Sequence, residues 1–250
     1  MNSKKIEKKL LITAPLNKGV IQIKNKQKAG IDKQAYLNSI SQFIGGHATG
    51  FSGVVLDVGC GSMPYREGIL SSSSAIESYL GLDLETNNFD RKCKPDLLWD
   101  GCTIPLPNDS VDFAFATEVL EHCPEPRQVT QEIHRVLKDG GAFLFTTPFL
   151  WPLHEVPYDY HRFTPFYLQK LLKESSLSIE KLSMLGGWDA SLAQMMGLWV
   201  VRRPGLNPVS RKILRLIFLP IISFLLKADS KPFEFSESQM ITGICGVAIK

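Results

Sequence analysis

Residues 54–61 read Val-Val-Leu-Asp-Val-Gly-Cys-Gly, and this stretch decides the fold. Its apolar residues predict a central parallel strand that is covered on both faces, and its two glycines allow the backbone to approach a ligand closely. Four further strands are predicted, at 78–82, 111–116, 142–147 and 241–249. Because helical stretches separate most of them, we expect an α/β fold with a ligand site at the carboxyl ends of the strands.

Two helices are predicted with defined ends. A leading helix over 35–45 is expected to end at the pair Gly45 and Gly46. The clearest helix covers 126–137, where Pro126 suits the first turn and a glycine pair follows the end. Its shared apolar face is formed by Val129, Ile133, Val136 and Leu137. This face predicts that the helix packs across the sheet.

The composition favours one domain without disulfides. The 250 residues are 44% hydrophobic, which is enough to bury one substantial core. The five cysteines form no C-x-x-C pair and follow no secretory signal, so neither a disulfide framework nor a zinc cluster is expected. No apolar run reaches the roughly 18 residues that span a bilayer. The expected localisation is therefore cytoplasmic.

The glycine turn departs from the dinucleotide fingerprint G-x-G-x-x-G at its third position. Gly59 and Gly61 are present, but Pro64 replaces the third glycine, and Met63 before it disfavours the helix N-terminus that holds a diphosphate. A ligand without phosphates fits this turn better. Asp83 lies 22 residues beyond Gly61, the spacing at which a carboxylate accepts both ribose hydroxyl hydrogens.

Over roughly residues 50–175 the sequence resembles the class I S-adenosylmethionine-dependent methyltransferases, most closely the small-molecule branch related to the enzymes of ubiquinone biosynthesis. The resemblance extends from the glycine turn through Glu118-Val119-Leu120-Glu121-His122 to Arg135-Val136-Leu137-Lys138 and Gly140-Gly141. It implies a Rossmann-like, doubly wound, mostly parallel seven-stranded sheet with helices on both faces. It also implies S-adenosylmethionine as the cofactor.

The resemblance further implies which residues hold the cofactor. Asp57 would face the amino group of the methionine part, Asp83 the ribose and Asp100 the adenine amino group. The complete set that it assigns to the cofactor is Asp57, Gly59, Cys60, Gly61, Asp83, Leu84, Asp100, Gly101 and Glu118. Carboxylates near strand ends would repel one another around an empty site, and a sulfonium with its ammonium gives them a reason to converge.

The acceptor is predicted to enter through the loop 148–165, which is rich in rings, prolines and ionisable groups. Similar segments in methyltransferases of bacterial polysaccharide and lipid-linked sugar pathways imply an acceptor site here. Its predicted substrate-binding residues are Trp151, Glu155, Tyr160 and Arg162. His161 is the leading candidate for the general base and His154 the second, because histidine removes a proton near neutral pH.

Structural alternatives exist for several of these residues. Arg162 and Asp159 could pair to brace the loop, while Thr164 caps a helix that starts at Pro165. His122 could be a polar residue that closes a helical turn. No metal site is predicted, because the histidines and acids of the loop lack the usual ligand spacing.

The resemblance fades between 186 and 231, the predicted C-terminal helical insertion of a methyltransferase domain that spans 31–250. A basic N-terminal segment over 1–30 precedes this domain, since residues 1–28 hold eight lysines and one acid. Within the insertion, basic residues flank the apolar run 216–226. They predict either peripheral membrane contact through 202–227 or a cap over the substrate pocket formed by 213–226.

The sequence therefore predicts a methyltransferase that acts on a small-molecule, glycan or lipid-linked acceptor, with oxygen favoured over nitrogen or carbon. One alternative is an RNA methyltransferase, motivated by the lysine-rich N-terminus. No RNA-binding motif is visible and the basic patch is narrow, so nucleic acid is not the expected partner. Another alternative is a non-catalytic cofactor-binding or assembly protein with the same fold.

Overall fold

The computed structural model of the protein describes residues 30–85, 94–230 and 234–250. The predicted basic segment over 1–30 thus lies outside the described residues, apart from Gly30. Among the helices of these three ranges, none is both long and apolar enough to cross a membrane.

Seven strands in the described ranges form one sheet. They are β1 (Gly53–Val58), β2 (Ile76–Leu84), β3 (Leu97–Trp99), β4 (Val111–Thr117), β5 (Leu137–Pro148), β6 (Ser178–Leu185) and β7 (Gly243–Ile249). Their order in the sheet is β3-β2-β1-β4-β5-β7-β6. The strands from β1 to β5 pair in parallel, and β7 runs antiparallel to both β5 and β6. The predicted mostly parallel, doubly wound sheet is confirmed.

Helices cover both faces of this sheet. They are α1 (Gln34–Ala48), α2 (Arg66–Ser72), α3 (Pro126–Val136), α4 (Pro165–Glu174), α5 (Trp188–Arg202) and α6 (Pro208–Ala228). Helices α1 and α2 pack on one face, where Val55 and Phe115 point, and α3 and α4 pack on the other, where Leu56 and Ala114 point. Neighbouring residues of a strand face opposite sides, so each buried strand serves two apolar layers.

Two predicted helix ends are wrong. Helix α1 continues through Gly45 and Gly46 to Ala48, because Ile44, Gly45 and Ala48 are all buried on the face that packs against the sheet. Burial there outweighs the low helix propensity of glycine. Helix α3 ends at Val136, and Leu137 already begins β5 rather than closing the helix.

Strands β3 and β6 were not predicted individually. Strand β3 has only three residues, and the burial of β6 does not alternate along most of its length, so neither carries a strong period-two pattern. Both become strands through backbone pairing with a neighbour: β3 pairs with the end of β2, and β6 pairs with β7. Tertiary contact rather than local sequence defines them.

Helices α5 and α6 occupy the chain between β6 and β7, within the predicted insertion. Only Ile222 of α6 is buried, whereas Leu216, Leu219 and Leu226 are exposed. The alternative that a cap over the substrate pocket buries these leucines internally is therefore wrong.

Candidate active site

The turn after β1 is the centre of the site. Gly59 has a φ of +67°, and its N–H donates to the carbonyl oxygen of Leu82 at 2.8 Å. A Cβ at this position would lie 2.5 Å from Cγ2 of Val119, in the segment that follows β4. Glycine is thus required both by the backbone conformation and by the close approach of two strand ends.

Asp83 faces this turn from the end of β2. Its Oδ2 accepts the N–H of Gly61 at 2.7 Å, and its Oδ1 accepts the N–H of Leu84 at 2.8 Å. Apart from Gly61 and its two chain neighbours, no heavy atom of the described residues lies within 4 Å of the position that a Cβ of Gly61 would take. The carboxylate therefore lies beside open space, next to the exposed side chain of Leu84.

Asp57 lies beneath the same turn and is buried in β1. Burial raises the pKa of its carboxyl to about 8; a hydrogen bond donated by the Tyr79 hydroxyl opposes this shift, and the charge of Asp83 adds to it. A buried carboxyl whose ionised form is disfavoured gains from a cationic ligand. Tyr79, which sequence analysis missed, is the partner that holds it.

Asp100 follows β3 at the neighbouring strand end. Trp99 pairs in register with Leu84, which places the ends of β2 and β3 side by side. The Oδ1 of Asp100 accepts the N–H groups of Thr103 and Cys102, each at 2.8 Å, and these bonds lower the pKa of the exposed carboxyl. Gly101 has a φ of +84° and allows the tight turn.

The unusual Ser62-Met63-Pro64 segment is held by specific contacts. Met63 has a φ of +51°, and its sulfur lies 2.7 Å from the position that a Cβ on Gly81 would take, so a side chain at Gly81 would displace Met63. Arg66 donates from Nη1 to the Met63 sulfur at 3.1 Å and to Asp96 at 2.8 Å. The thiol of Cys60 is also buried beside Gly81, and burial raises its pKa. Cys60 therefore packs inward at the turn.

Glu118 opens the second part of the site, directly after β4. Its φ is +56°, and its carboxyl accepts hydrogen bonds from the hydroxyls of Tyr36 at 2.9 Å and Thr146 at 2.8 Å. Burial raises the pKa of Glu118 to about 7, and both hydrogen bonds oppose the shift. Tyr36 belongs to α1, so the leading helix supplies a side chain to the site.

Glu121 is fully buried, and neither of its carboxyl oxygens has a hydrogen-bond partner among the described residues. Burial raises its pKa well above the usual range, and the charge of Glu118 adds to the effect. Ligand atoms of Glu121, His122 and His154 lie within 4.8 Å of one another. This cluster has the donor types that could hold a divalent cation or a polar group of a substrate.

The acceptor loop is braced by Asp159. Its carboxylate pairs with Arg162 through contacts of 2.6 and 2.8 Å, and this pairing holds the pKa of Asp159 well below its usual range. The same carboxylate accepts the backbone N–H of His154 at 3.1 Å and lies 3.2 Å from its Nδ1. Arg162, predicted to bind substrate, thus has a structural role in the loop, and Thr164 accepts the N–H of Tyr167 as the cap of α4.

The two candidate bases differ in what their nitrogens contact. Nε2 of His161 donates to the carbonyl oxygen of Cys123 at 3.0 Å, and its ring stacks on Phe163. Nδ1 of His154 is held by Asp159, whereas its Nε2 has no hydrogen-bond partner in the part of the chain that the structure describes. Burial lowers the pKa of this imidazole. The centroids of the His154 and His122 rings lie 4.6 Å apart, so His154 lies beside His122 and the buried Glu121.

The remaining predicted acceptor residues line the loop unequally. Trp151 stacks on Tyr36 with ring centroids 5.4 Å apart and lies 6.5 Å from the His154 ring. Tyr160 and Glu155 are exposed, and Tyr160 contributes its backbone N–H to the Glu121 carbonyl oxygen. Trp151 therefore lies next to the cluster of polar residues.

Sequence analysis missed Tyr36, Tyr79 and the buried Glu121 as site residues. Tyr36 and Glu118 are 82 residues apart in the sequence, and local sequence patterns do not predict a contact at that separation. Glu121 and His122 were visible only as the end of a motif that follows β4. That position, at the carboxyl end of a parallel strand, was the available signal.

Comparison with known proteins identifies the domain type. Residues 56–145 match the family described as "Methyltransferase domain". The chain is 35% identical over 124 residues to a ubiquinone biosynthesis O-methyltransferase of Nitrosomonas europaea, covering 44% of this chain and 49% of that protein. It is 33% identical over 109 residues to a malonyl-[acyl-carrier protein] O-methyltransferase of Yersinia pestis, covering 42% of this chain and 39% of that protein. The chain thus spans about half or less of the length of these relatives.

A solved structure shows the same fold. A S-adenosylmethionine-dependent methyltransferase of Archaeoglobus fulgidus matches with a TM-score of 0.54 at 16% identity, covering 87% of this chain and 95% of that one. The family resemblance predicted from the sequence is confirmed by these comparisons.

Proposed function

We propose that this chain, whose residues 56–145 form a class I S-adenosylmethionine-dependent methyltransferase domain, transfers a methyl group to a hydroxyl of a small-molecule acceptor. The observation that carries the proposal is the meeting of two half-sites at one sheet edge. Val119 packs so closely against Gly59 that a side chain at this position would collide with it. The turn after β1 and the Glu118–His122 segment are therefore in direct contact.

The first half-site suits the cofactor. Asp57 would compensate the ammonium group, Asp83 would accept the ribose hydroxyls beside open space, and Asp100 lies at the adjacent strand end. Exposed Leu84 offers apolar surface between the two outer acids. When bound, S-adenosylmethionine supplies an electrophilic methyl group. The proposed cofactor residues also include Gly59, Cys60, Gly61, Gly101 and Glu118.

The second half-site suits removal of an acceptor proton. The Asp159 carboxylate can only accept a hydrogen bond, so Nδ1 of His154 carries the proton and Nε2 presents its lone pair. The lowered pKa keeps this imidazole neutral at pH 7. We therefore propose His154 as the general base; His161, whose Nε2 is occupied by a backbone carbonyl, becomes the second candidate.

Acceptor recognition follows from the surrounding groups. Trp151 and Tyr36 form a stacked aromatic surface, and Glu118 and Glu121 present carboxyls whose raised pKa values favour the protonated form. An acceptor that combines an apolar body with a hydroxyl would satisfy both kinds of surface. Both curated relatives named above are O-methyltransferases, which supports oxygen as the methylated atom.

Cofactor binding provides the first test. Calorimetric titration with S-adenosylhomocysteine should give micromolar binding to the wild type. Asp83→Asn should bind at least 100-fold more weakly, because charge-assisted hydrogen bonds contribute about 1.5–3 kcal/mol each. Glu77→Gln is the matched control, since Glu77 is an exposed acid at the other end of the same strand. Equal affinity of the two variants would contradict the assignment of Asp83.

Methyl transfer is tested once binding is established. The protein is incubated with radiolabelled S-adenosylmethionine and a panel of phenolic, carboxylic, glycan and polyprenyl-linked acceptors. Label in an acceptor hydroxyl, lost in His154→Ala while cofactor affinity stays unchanged, supports the proposal. Binding of cofactor without transfer to any acceptor class would favour the non-catalytic alternative.

Within this activity we propose a lipid-linked acceptor rather than a free glycan. The first residues of the acceptor loop contact the insertion, where Gln194 of α5 donates to the carbonyl oxygen of Leu150. Helix α6, which packs on α5, carries an exposed apolar surface. In the acceptor panel, preference for the polyprenyl-linked compound over the same headgroup without its lipid supports this choice.

A further inference from the structure

Helix α6 presents apolar side chains to solvent. Val209, Ile213, Leu216, Ile217 and Phe224 recur at helical spacing and form what we call the apolar face of α6; each is between 53% and 69% exposed. The opposite side of the helix packs on α5, with Ile222 buried and Phe218 against Trp199 at 5.8 Å. Apolar side chains therefore lie on both sides of α6. Those on one side pack against α5, and those of the apolar face are exposed.

The charge around this face has a single sign. The 39 residues from Ala190 to Ala228 contain no aspartate or glutamate. Their basic residues are Arg202, Arg203, Arg211, Lys212, Arg215 and Lys227. Lys212 and Arg215 are exposed and lie within the same turns as Ile213 and Leu216. An uninterrupted positive charge beside exposed apolar side chains matches an anionic lipid headgroup layer.

We propose that the apolar face of α6 docks into the headgroup region of an anionic lipid bilayer, with the helix lying in the membrane plane. At about 1.5 Å per residue its 21 residues extend about 31 Å along the surface. No described helix is apolar enough to cross the bilayer, which agrees with an in-plane position. A second copy of the chain is disfavoured as the occupant, because a symmetric contact would bring two sets of six positive charges together.

The docked helix would connect with the acceptor loop through Arg202, the last residue of α5. Its Nε lies 3.0 Å from the buried carboxylate of Asp32, and its guanidinium carbon lies 5.2 Å from the centroid of the Trp151 ring. Docking would therefore hold the loop that carries Trp151 near the membrane. This consequence rests on the proposed function and favours an amphiphilic acceptor, whereas docking itself does not depend on methyl transfer.

Vesicle sedimentation tests the proposal without cofactor or acceptor. The full chain should pellet with phosphatidylcholine vesicles containing 30% phosphatidylglycerol and much less with pure phosphatidylcholine. Leu216→Ser combined with Phe224→Ser should remain in the supernatant. The matched control is Leu70→Ser with Phe166→Ser, which changes two exposed apolar residues on α2 and α4 and should bind as the wild type does. Circular dichroism melting confirms that each variant is folded.

Two further measurements separate the contributions. Lys212→Ala with Arg215→Ala should weaken partitioning to anionic vesicles about 25-fold, at about fivefold for each charge, and leave partitioning to neutral vesicles unchanged. Tryptophan fluorescence of Phe224→Trp should shift to the blue on vesicle addition and be quenched by lipids brominated near the headgroup, since such helices insert about 5–10 Å.

Three outcomes would overturn the proposal. The wild type could stay in the supernatant with anionic vesicles at low salt. The serine variant of α6 could pellet as strongly as the control variant, which would place lipid contact elsewhere, for example in the lysine-rich residues 1–28. Sedimentation velocity could instead show a dimer that Leu216→Ser dissociates, in which case a second copy covers this face.

Discussion

Oδ2 of Asp159 lies 3.2 Å from Nδ1 of His154, and both carboxylate oxygens of Asp159 accept hydrogen bonds from Arg162. A carboxylate that accepts from both residues orients the imidazole and fixes which nitrogen carries the proton. The five-residue separation of Asp159 and His154 placed this pair within one loop, and the Arg162 contact holds that loop closed.

Replacing the proposed base should affect turnover more than binding. His154→Ala should lower kcat about 10²- to 10⁴-fold, the usual contribution of general base catalysis, with the cofactor Kd unchanged. Since burial lowers the pKa of His154, kcat/KM for the acceptor, measured at saturating cofactor, should fall only when the pH drops below the ordinary range of an imidazole. His161→Ala provides the comparison. A larger loss in His161→Ala than in His154→Ala would restore His161 as the base.

Cofactor binding should release a proton from Asp57. Its pKa is raised to about 8 in the ligand-free protein, and a cationic ligand favours the ionised form. Affinity should therefore rise with pH up to about 8, approaching about tenfold per unit, and calorimetry in buffers of different ionisation enthalpy should count the proton. Asp57→Asn should abolish the pH dependence. A pH-independent affinity of the wild type would exclude this coupling.

The same shift should affect the stability of the ligand-free protein. Between the ordinary pKa of an aspartate and about 8, the folded state binds more protons than the unfolded state, so the free energy of unfolding decreases as pH rises across this window. Denaturant titrations at pH 5 and pH 8 measure the difference, and Asp57→Asn should reduce it.

The buried carboxyl of Glu121, which accepts no hydrogen bond from the residues that the structure describes, should lower the stability of the fold while it supports turnover. Glu121→Met fills the same buried volume without an unsatisfied polar group, and should raise the free energy of unfolding by about 1–3 kcal/mol while turnover is lost. Thermal melting and the methyl-transfer assay measure both effects. Destabilisation by Glu121→Met would show that the carboxyl has a structural partner.

Arg162 should matter for the geometry of the loop. Arg162→Lys cannot reproduce the two contacts to Asp159 or the bond from Nη1 to the His161 carbonyl oxygen. Turnover should fall about 10- to 100-fold with the cofactor Kd unchanged, because misplacement of a catalytic group by about 1 Å has this effect. Limited proteolysis should cleave within 152–160 faster in the variant. Lys170→Ala, in the exposed part of α4, is the control.

Local sequence patterns determined four of the five parallel strands, β1, β2, β4 and β5, and the first half-site. The apolar run before Gly59 is buried on both faces, and the spacing from Gly61 to Asp83 is realised as a 2.7 Å hydrogen bond across neighbouring strand ends. The carboxyl ends of parallel strands lie at the same edge of the sheet, so residues that follow different strands lie close together there. The same rule identified the acceptor loop after β5.

Only the tertiary structure decided which side chains meet in the second half-site. Tyr36 reaches Glu118 because α1 packs on the face of the sheet where Phe115 of β4 points. Glu121 is buried beneath the loop 148–165, where its backbone carbonyl oxygen accepts the N–H of Tyr160, and its carboxyl accepts no hydrogen bond from the described residues. The exposed side of α6 likewise depends on which side packs against α5. Helical periodicity reports that a helix has an apolar side, whereas burial depends on contacts between elements distant in sequence.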